Sequence, residues 1–194
     1  MRRINWAILS LVAGMLALQG GSGDPPPAGM TTPSYTEDGS LRRPRGYETW
    51  VHIGSSLGLS YAENARRDPP GLFHNVYIQP EAFAHYRRTG RFPEKTMLAL
   101  TLHDPRQKES IAKDGYFQGD LVALEFALKD SERHAESWAY YDFGGGDDLK
   151  AVSTPFPKDR CFACHRENGA DDNVFVQFYP LLRDVRTRRT ESSR

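Results

Sequence analysis

Five short runs of strand character, separated by turn signals rather than by helix-length connections, constrain this chain more than any other feature. Trp50, Val51, His52 and Ile53 are aromatic and β-branched, and Gly54, Ser55 and Ser56 end them, with residues 54–70 reading as a loop. A second run, FHNVYI at residues 73–78, follows Pro69 and Pro70 and stops at Pro80. Residues 96–102 form a bounded apolar run, and residues 116–128 form a longer one. Residues 138–143 alternate until Gly144, Gly145 and Gly146 break them. One helix pattern intervenes: residues 81–88 open after Pro80, carry Glu81 in the first turn and Arg87 and Arg88 in the last, and precede Gly90. Parallel strands need long crossover connections, and these are mostly missing. The expected fold is therefore mainly β within the α+β class: an antiparallel sheet with flanking helices, and further helices at the C-terminal end.

The ends of the chain read differently. Residues 6–18 are the longest apolar run and contain Ser10 and Gly14, which is too short for the roughly 18–20 residues of a spanning helix. With Arg2 and Arg3 before it and Gln19, Gly20, Gly21, Ser22 and Gly23 after it, residues 1–23 read as an export signal, which points to a periplasmic location. No Cys follows the apolar run, which disfavours a lipid anchor. Removing the signal takes away two arginines and no acids, so 23 basic residues face 25 acidic ones, a net of −2. That near-neutral balance argues against a nucleic-acid or polyphosphate binder. Residues 24–45 hold Pro25, Pro26, Pro27, Pro33 and Pro44 without periodicity and are expected to be a flexible tether. Residues 184–194, with Arg186, Arg188, Arg189 and Arg194, read as a basic, frayed tail.

The chemistry sits in Cys161-Phe162-Ala163-Cys164-His165. Two thiols three positions apart, followed at once by an imidazole, match covalent attachment of haem c: each sulfur adds to one vinyl group and the histidine reaches the iron. The chain has two cysteines and six histidines, so this order arises by chance about 3 times in 10 000. A disulfide across a two-residue gap would staple almost nothing. A thioredoxin-type motif would want a strand before it and a helix after it in an α/β domain, whereas residues 156–160 are loop-like. A zinc site would want a second cysteine pair, which the chain lacks. One covalent haem c, with His165 as the iron ligand, is the expectation.

What such a haem does depends on the sixth coordination position, since a strong second ligand favours electron transfer and an open position lets small molecules bind. Met15 lies in the signal and Met30 in the tether, leaving Met97, for which a core role is the better reading. His52, His74, His85, His103 and His134 remain as alternatives. An open or weakly blocked distal side is expected.

Several segments taken together resemble the cytochrome P460 family, including its non-cross-linked relatives, the β-sheet cytochromes c′. They are residues 47–54 (YETWVHIG), 73–90 (FHNVYIQPEAFAHYRRTG), 115–130 (GYFQGDLVALEFALKD), 138–143 and 161–182, within a domain spanning residues 46–183. The resemblance implies a long antiparallel sheet, a homodimer, a five-coordinate haem c, and His165 as proximal ligand with Cys161 and Cys164 as thioether anchors. P460-type members carry a lysine bonded to the haem macrocycle and oxidise hydroxylamine and nitric oxide. Matching the segments puts that lysine at Leu100, which has no amine; Lys95 would sit about 16 Å away along a strand. Glu125 matches the distal acid of these enzymes, and it lies within LVALEFAL, the most apolar stretch of the mature chain, where a carboxylate needs a reason. Facing the cavity, it would have a raised pKa and serve as a proton relay; the bland alternative points it to solvent. The expected function is binding or redox transformation of small nitrogen species at an open iron, without the lysine link and with a periplasmic redox partner. The alternative is a six-coordinate electron-transfer cytochrome c.

Overall fold

The computed structural model describes residues 23–60, 70–111 and 113–192. The export signal expected at residues 1–23 lies, but for Gly23, outside the described residues. Among the described residues there are seven strands and three α-helices: β1 (Leu41–Arg42), β2 (Val51–Leu57), β3 (Phe73–Ile78), α1 (Pro80–Thr89), β4 (Met97–Arg106), β5 (Phe117–Lys129), β6 (Trp138–Asp142), β7 (Val152–Ser153), α2 (Phe162–Asn168) and α3 (Pro180–Ser192). Strands β2 to β6 form one sheet in sequence order, every neighbour antiparallel, as short connections dictate. The protein is mainly β with flanking helices.

Helix α1 starts at Pro80, whose missing N–H costs nothing at that position, and ends at Gly90, where φ of 66° suits a residue without a Cβ. Its inner face buries Ala82, His85 and Tyr86. Both faces of the sheet are covered. On one, Val76, Ile78, Leu98, Trp138 and Tyr140 pack against residues of α1, α2 and α3, among them Tyr86, Phe162, Leu182 and Val185. On the other, Met97, Ala99, Leu124, Phe126 and Leu128 pack against Leu41, Tyr35, Tyr47 and Trp50. The alternation of β4 and β5 thus serves two cores, as the period of two requires.

Contacts on both faces correct the reading of residues 24–45 as a flexible tether. Leu41 is fully buried and Met30 nearly so, and β1 pairs with β7. The Tyr35 hydroxyl donates to Asp130 at 2.8 Å, and the Asp24 carboxylate accepts from His85 and Arg91 at 3.0 Å each. Proline fixes an extended path and removes donors but does not forbid packing; the apolar side chains of β4 and β5 supply a surface that must leave water.

Two smaller differences matter for the site. Residues 54–57, expected to be loop, continue β2 past an irregularity in register between His52 and Gly54. A Cβ on Gly54 would stand 3.1 Å from the Tyr179 ring, so glycine there permits the C-terminal segment to lie close against the strand. Helix α3 runs through the supposed tail, and its Val185 is buried at 3% exposure, so the folded body extends past residue 183.

Candidate functional site

One face of the sheet and the C-terminal segment around His165 and residues 173–179 line a cavity of about 280 Å³. Strand β4 contributes Leu98, Leu100 and Leu102 to it, the three residues of one parity. Across the ladders, Val76 of β3 and Glu125 of β5 are the partners of Leu100, and both also line the cavity. Ala127 and Tyr140 continue the wall, while Val174, Phe175, Phe178 and Tyr179 close it from the C-terminal side. The wall is mostly hydrocarbon.

His165 faces this cavity from α2. Its Nδ1–H donates to the backbone carbonyl of Asn173 at 2.9 Å, which fixes the tautomer and leaves Nε2 with its lone pair. Burial lowers the imidazole pKa, with the Asn173 carbonyl opposing, so the ring stays neutral at physiological pH, as a metal ligand must be. Tyr140 and Phe175 hold the ring on two sides, each with its centroid 4.3 Å away. Cys161 and Cys164 open the same short helix; both are free thiols and partly exposed. Neither lines the cavity itself, but Cys161 packs against the core beside it, and burial together with the Glu125 carboxylate pushes its thiol pKa up. The elevated value keeps that thiol protonated near neutral pH.

Glu125 lies inside, not toward solvent. Burial raises its pKa, the neighbouring Asp142 carboxylate raises it further, and the Arg160 guanidinium opposes. Asp142 is its partner across the β5–β6 ladder and is held low against burial by the Gly144 N–H and the Lys150 ammonium. The two carboxyls therefore differ in proton affinity although they share one face of the sheet, a pairing suited to moving a proton between a dry cavity and water.

Met97 sits on the opposite face of β4, 1% exposed among Leu124, Phe126 and Leu128, and cannot reach this cavity. Of the alternative histidines, His52 meets Ser55, His85 meets Asp24, His103 meets the Gly119 carbonyl and His134 meets the Tyr141 hydroxyl. His74 alone among these five lines the cavity, with Nδ1 at 3.2 Å from the Leu72 carbonyl. Its neighbour Asn75 turns to the other face and joins Ser55, Thr101 and Gln118. Among the described residues no lysine lines the cavity. Lys95 is engaged by Asp130 at 2.6 Å and Glu132 at 2.7 Å, remote from Leu100.

Sequence reasoning picked out Cys161, Cys164, His165, Leu100 and Glu125; of these, His165, Leu100 and Glu125 line the cavity and the two cysteines do not. It missed the Asn173 carbonyl, a backbone acceptor that leaves no trace in residue type, and Gly54, whose value is the space it leaves.

A neutral, oriented imidazole, two thiols on its helix and a hydrocarbon wall beside it fit a porphyrin iron better than a hydrolytic or thiol-exchange site. A sheet carrying such a C-terminal motif defines a β-rich haem c protein. The family model for cytochrome P460 matches residues 44–176, more than half of the chain. The chain belongs to the cytochrome P460 family, and the family implies haem c binding. No curated protein matches the chain.

Proposed function

We propose that this protein is an exported mono-haem c protein that binds or slowly transforms small nitrogen species, nitric oxide foremost, at an open distal position, without a lysine link to the macrocycle. The observation that carries this reading is the composition of the cavity wall: beside His165 the side chains of β4 are Leu98, Leu100 and Leu102, and among the described residues no thioether and no amine lines the cavity. When bound here, haem would supply an iron able to take a small ligand and to exchange one electron. The chain does the rest. Cys161 and Cys164 would anchor the group through thioethers, and His165 would hold its iron through Nε2. Leu100 and its neighbours exclude water, which favours uncharged diatomics over anions, because a neutral molecule loses little on desolvation. Glu125 holds a proton within the cavity for nitrogenous substrates and exchanges it toward Asp142. Residues 1–23 direct export to the periplasm, where haem c is attached and a redox partner is met. Assembly as a homodimer follows the family habit.

The second reading, a six-coordinate electron carrier, gains support from one residue, His74, which is the other imidazole on the cavity wall. Absorption spectra of holoprotein made in a host that matures haem c separate the two. A high-spin ferric spectrum, a mass gain of one haem and an ordinary c-type ferrous Soret band that shifts with nitric oxide are expected. A low-spin spectrum indifferent to nitric oxide refutes the open site, and a strongly red-shifted ferrous Soret band refutes the absence of a lysine link.

A further inference from the structure

One buried cation has no part in the function above. Lys129, at the end of β5, is 9% exposed and donates to the Asp172 carboxylate at 2.7 Å and to the Phe92 carbonyl at 2.9 Å. The other oxygen of Asp172 accepts from the Trp138 indole N–H at 3.1 Å. Asp172 and its successor Asn173 both have positive φ, 45° and 59°, within a turn closed by the Val174 N–H on the Asp171 carbonyl at 2.8 Å. Two consecutive left-handed residues are the pattern of a type I′ turn, and Asp and Asn are among the few side chains that tolerate it. Asp171 is held in turn by the Tyr86 hydroxyl at 2.7 Å. The turn is thus gripped by α1, β5 and β6, and what it presents is the Asn173 carbonyl. That oxygen accepts two hydrogens: Nδ1–H of His165 at 2.9 Å and the Tyr140 hydroxyl at 3.3 Å.

We propose that residues 171–174 form a bracket that sets the strength of His165 as a ligand, with Lys129 and Trp138 as positioning residues that hold the acceptor in place and Tyr140 as a competing donor that weakens it. This rests on the reading of His165 as the iron ligand. An acceptor on Nδ1–H makes the imidazole a stronger donor through Nε2 and stabilises the ferric state. Loosening the bracket and removing the competitor therefore act with opposite sign, which a general loss of packing would not do. Lys129→Met frees Asp172 while leaving an apolar chain of similar length in the same space. Tyr140→Phe keeps the ring against His165 and deletes only the hydroxyl.

The test uses holoprotein, read by resonance Raman of the ferrous iron–histidine stretch and by redox titration. Lys129→Met is expected to shift the stretch to lower frequency and the midpoint potential upward. Tyr140→Phe is expected to shift the stretch higher and the potential downward. Should Lys129→Met fail to fold, Trp138→Phe removes the indole donor and retains a smaller aromatic ring, with the same direction expected as for Lys129→Met. Haem present with neither quantity moved, or moved alike in both variants, overturns the bracket alone. Wild-type protein without haem overturns the functional reading, and the bracket with it.

Discussion

Replacing Asp130 by Asn tests how the N-terminal segment is bound to the sheet. The Asp130 carboxylate is completely buried at the end of β5 and takes the Lys95 ammonium on one oxygen at 2.6 Å and the Tyr35 hydroxyl on the other at 2.8 Å. Burial alone would raise its pKa; the Lys95 and Tyr35 hydrogen bonds outweigh burial and hold it below the ordinary aspartate value. Asn fills the same space but brings no charge and turns an N–H₂ group toward one of the two donors. Breaking a buried ion pair from one side costs about 3–5 kcal/mol. Lys95 keeps Glu132 and is 18% exposed, so part of that cost is recovered. We expect a loss of about 2–4 kcal/mol, against about 1 kcal/mol for Tyr35→Phe, which removes a single hydrogen bond. At about 2–4 °C per kcal/mol for a chain of this size, Asp130→Asn lowers Tm by roughly 5–15 °C. The pH dependence has a definite sign. A depressed carboxyl contributes stability above its unfolded value of about 4 and loses it as pH falls through the folded value. Urea unfolding at pH 7 and again in acid should therefore show the gap between wild type and variant narrowing on acidification. A loss under about 0.5 kcal/mol at pH 7, the size of an ordinary surface change, or a gap independent of pH, refutes the claim that this carboxylate is an ionised anchor for the segment.

Four further outcomes bear on the site. On the proposed anchoring, Cys161→Ser would leave one thioether and Cys161→Ser with Cys164→Ser none, so denaturing mass spectrometry should show haem retained in the single variant and lost in the double; retention in the double variant contradicts covalent anchoring. On the proposed ligation, His165→Gly would remove the ligand and leave room for its ring, so added imidazole should restore the wild-type ferric spectrum; failure of imidazole to do so counts against that nitrogen as the proximal donor. His74→Ala should leave the ferric spin state unchanged, and conversion from low spin to high spin would instead assign His74 to the sixth position. Glu125 is raised by burial, so the stability it contributes is present below about pH 4 and declines as pH climbs through the folded value. Urea titrations of apoprotein from pH 4 to 8 should show wild type losing ground to Glu125→Gln, and parallel curves would mean the carboxyl is solvated.

The sheet was legible because alternation and turn residues are local signals. Trp50 to Ile53, FHNVYI and the 138–143 run each carry their own punctuation, and antiparallel neighbours need little else. The haem motif was legible because spacing along the chain is itself the chemistry. The placement of Glu125 depended on phase: one position earlier or later along β5, the same carboxyl would have lain with Leu124 and Phe126 in the second core. What residue types could not convey was contact between distant segments. Leu41 and Met30 are ordinary apolar residues in a proline-rich stretch, and only the surfaces they meet make them core: Met97, Leu124 and Phe126 on one face of the sheet for Leu41, and the cluster of Ile78 and Leu98 on the other for Met30. Nor does any side chain announce that Asn173 will offer its carbonyl, since that duty belongs to the backbone and to two left-handed residues in a row.

The pleat of β4 carries a last consequence. Met97 and Leu98 are consecutive, yet one belongs to the N-terminal packing and the other to the cavity wall. Sliding this strand by a single position against its neighbours would exchange the two sets, presenting sulfur where hydrocarbon now stands. Which side chains of β4 line the cavity is decided by odd and even numbering, and inserting or deleting one residue in the turn ahead of Lys95 would exchange them.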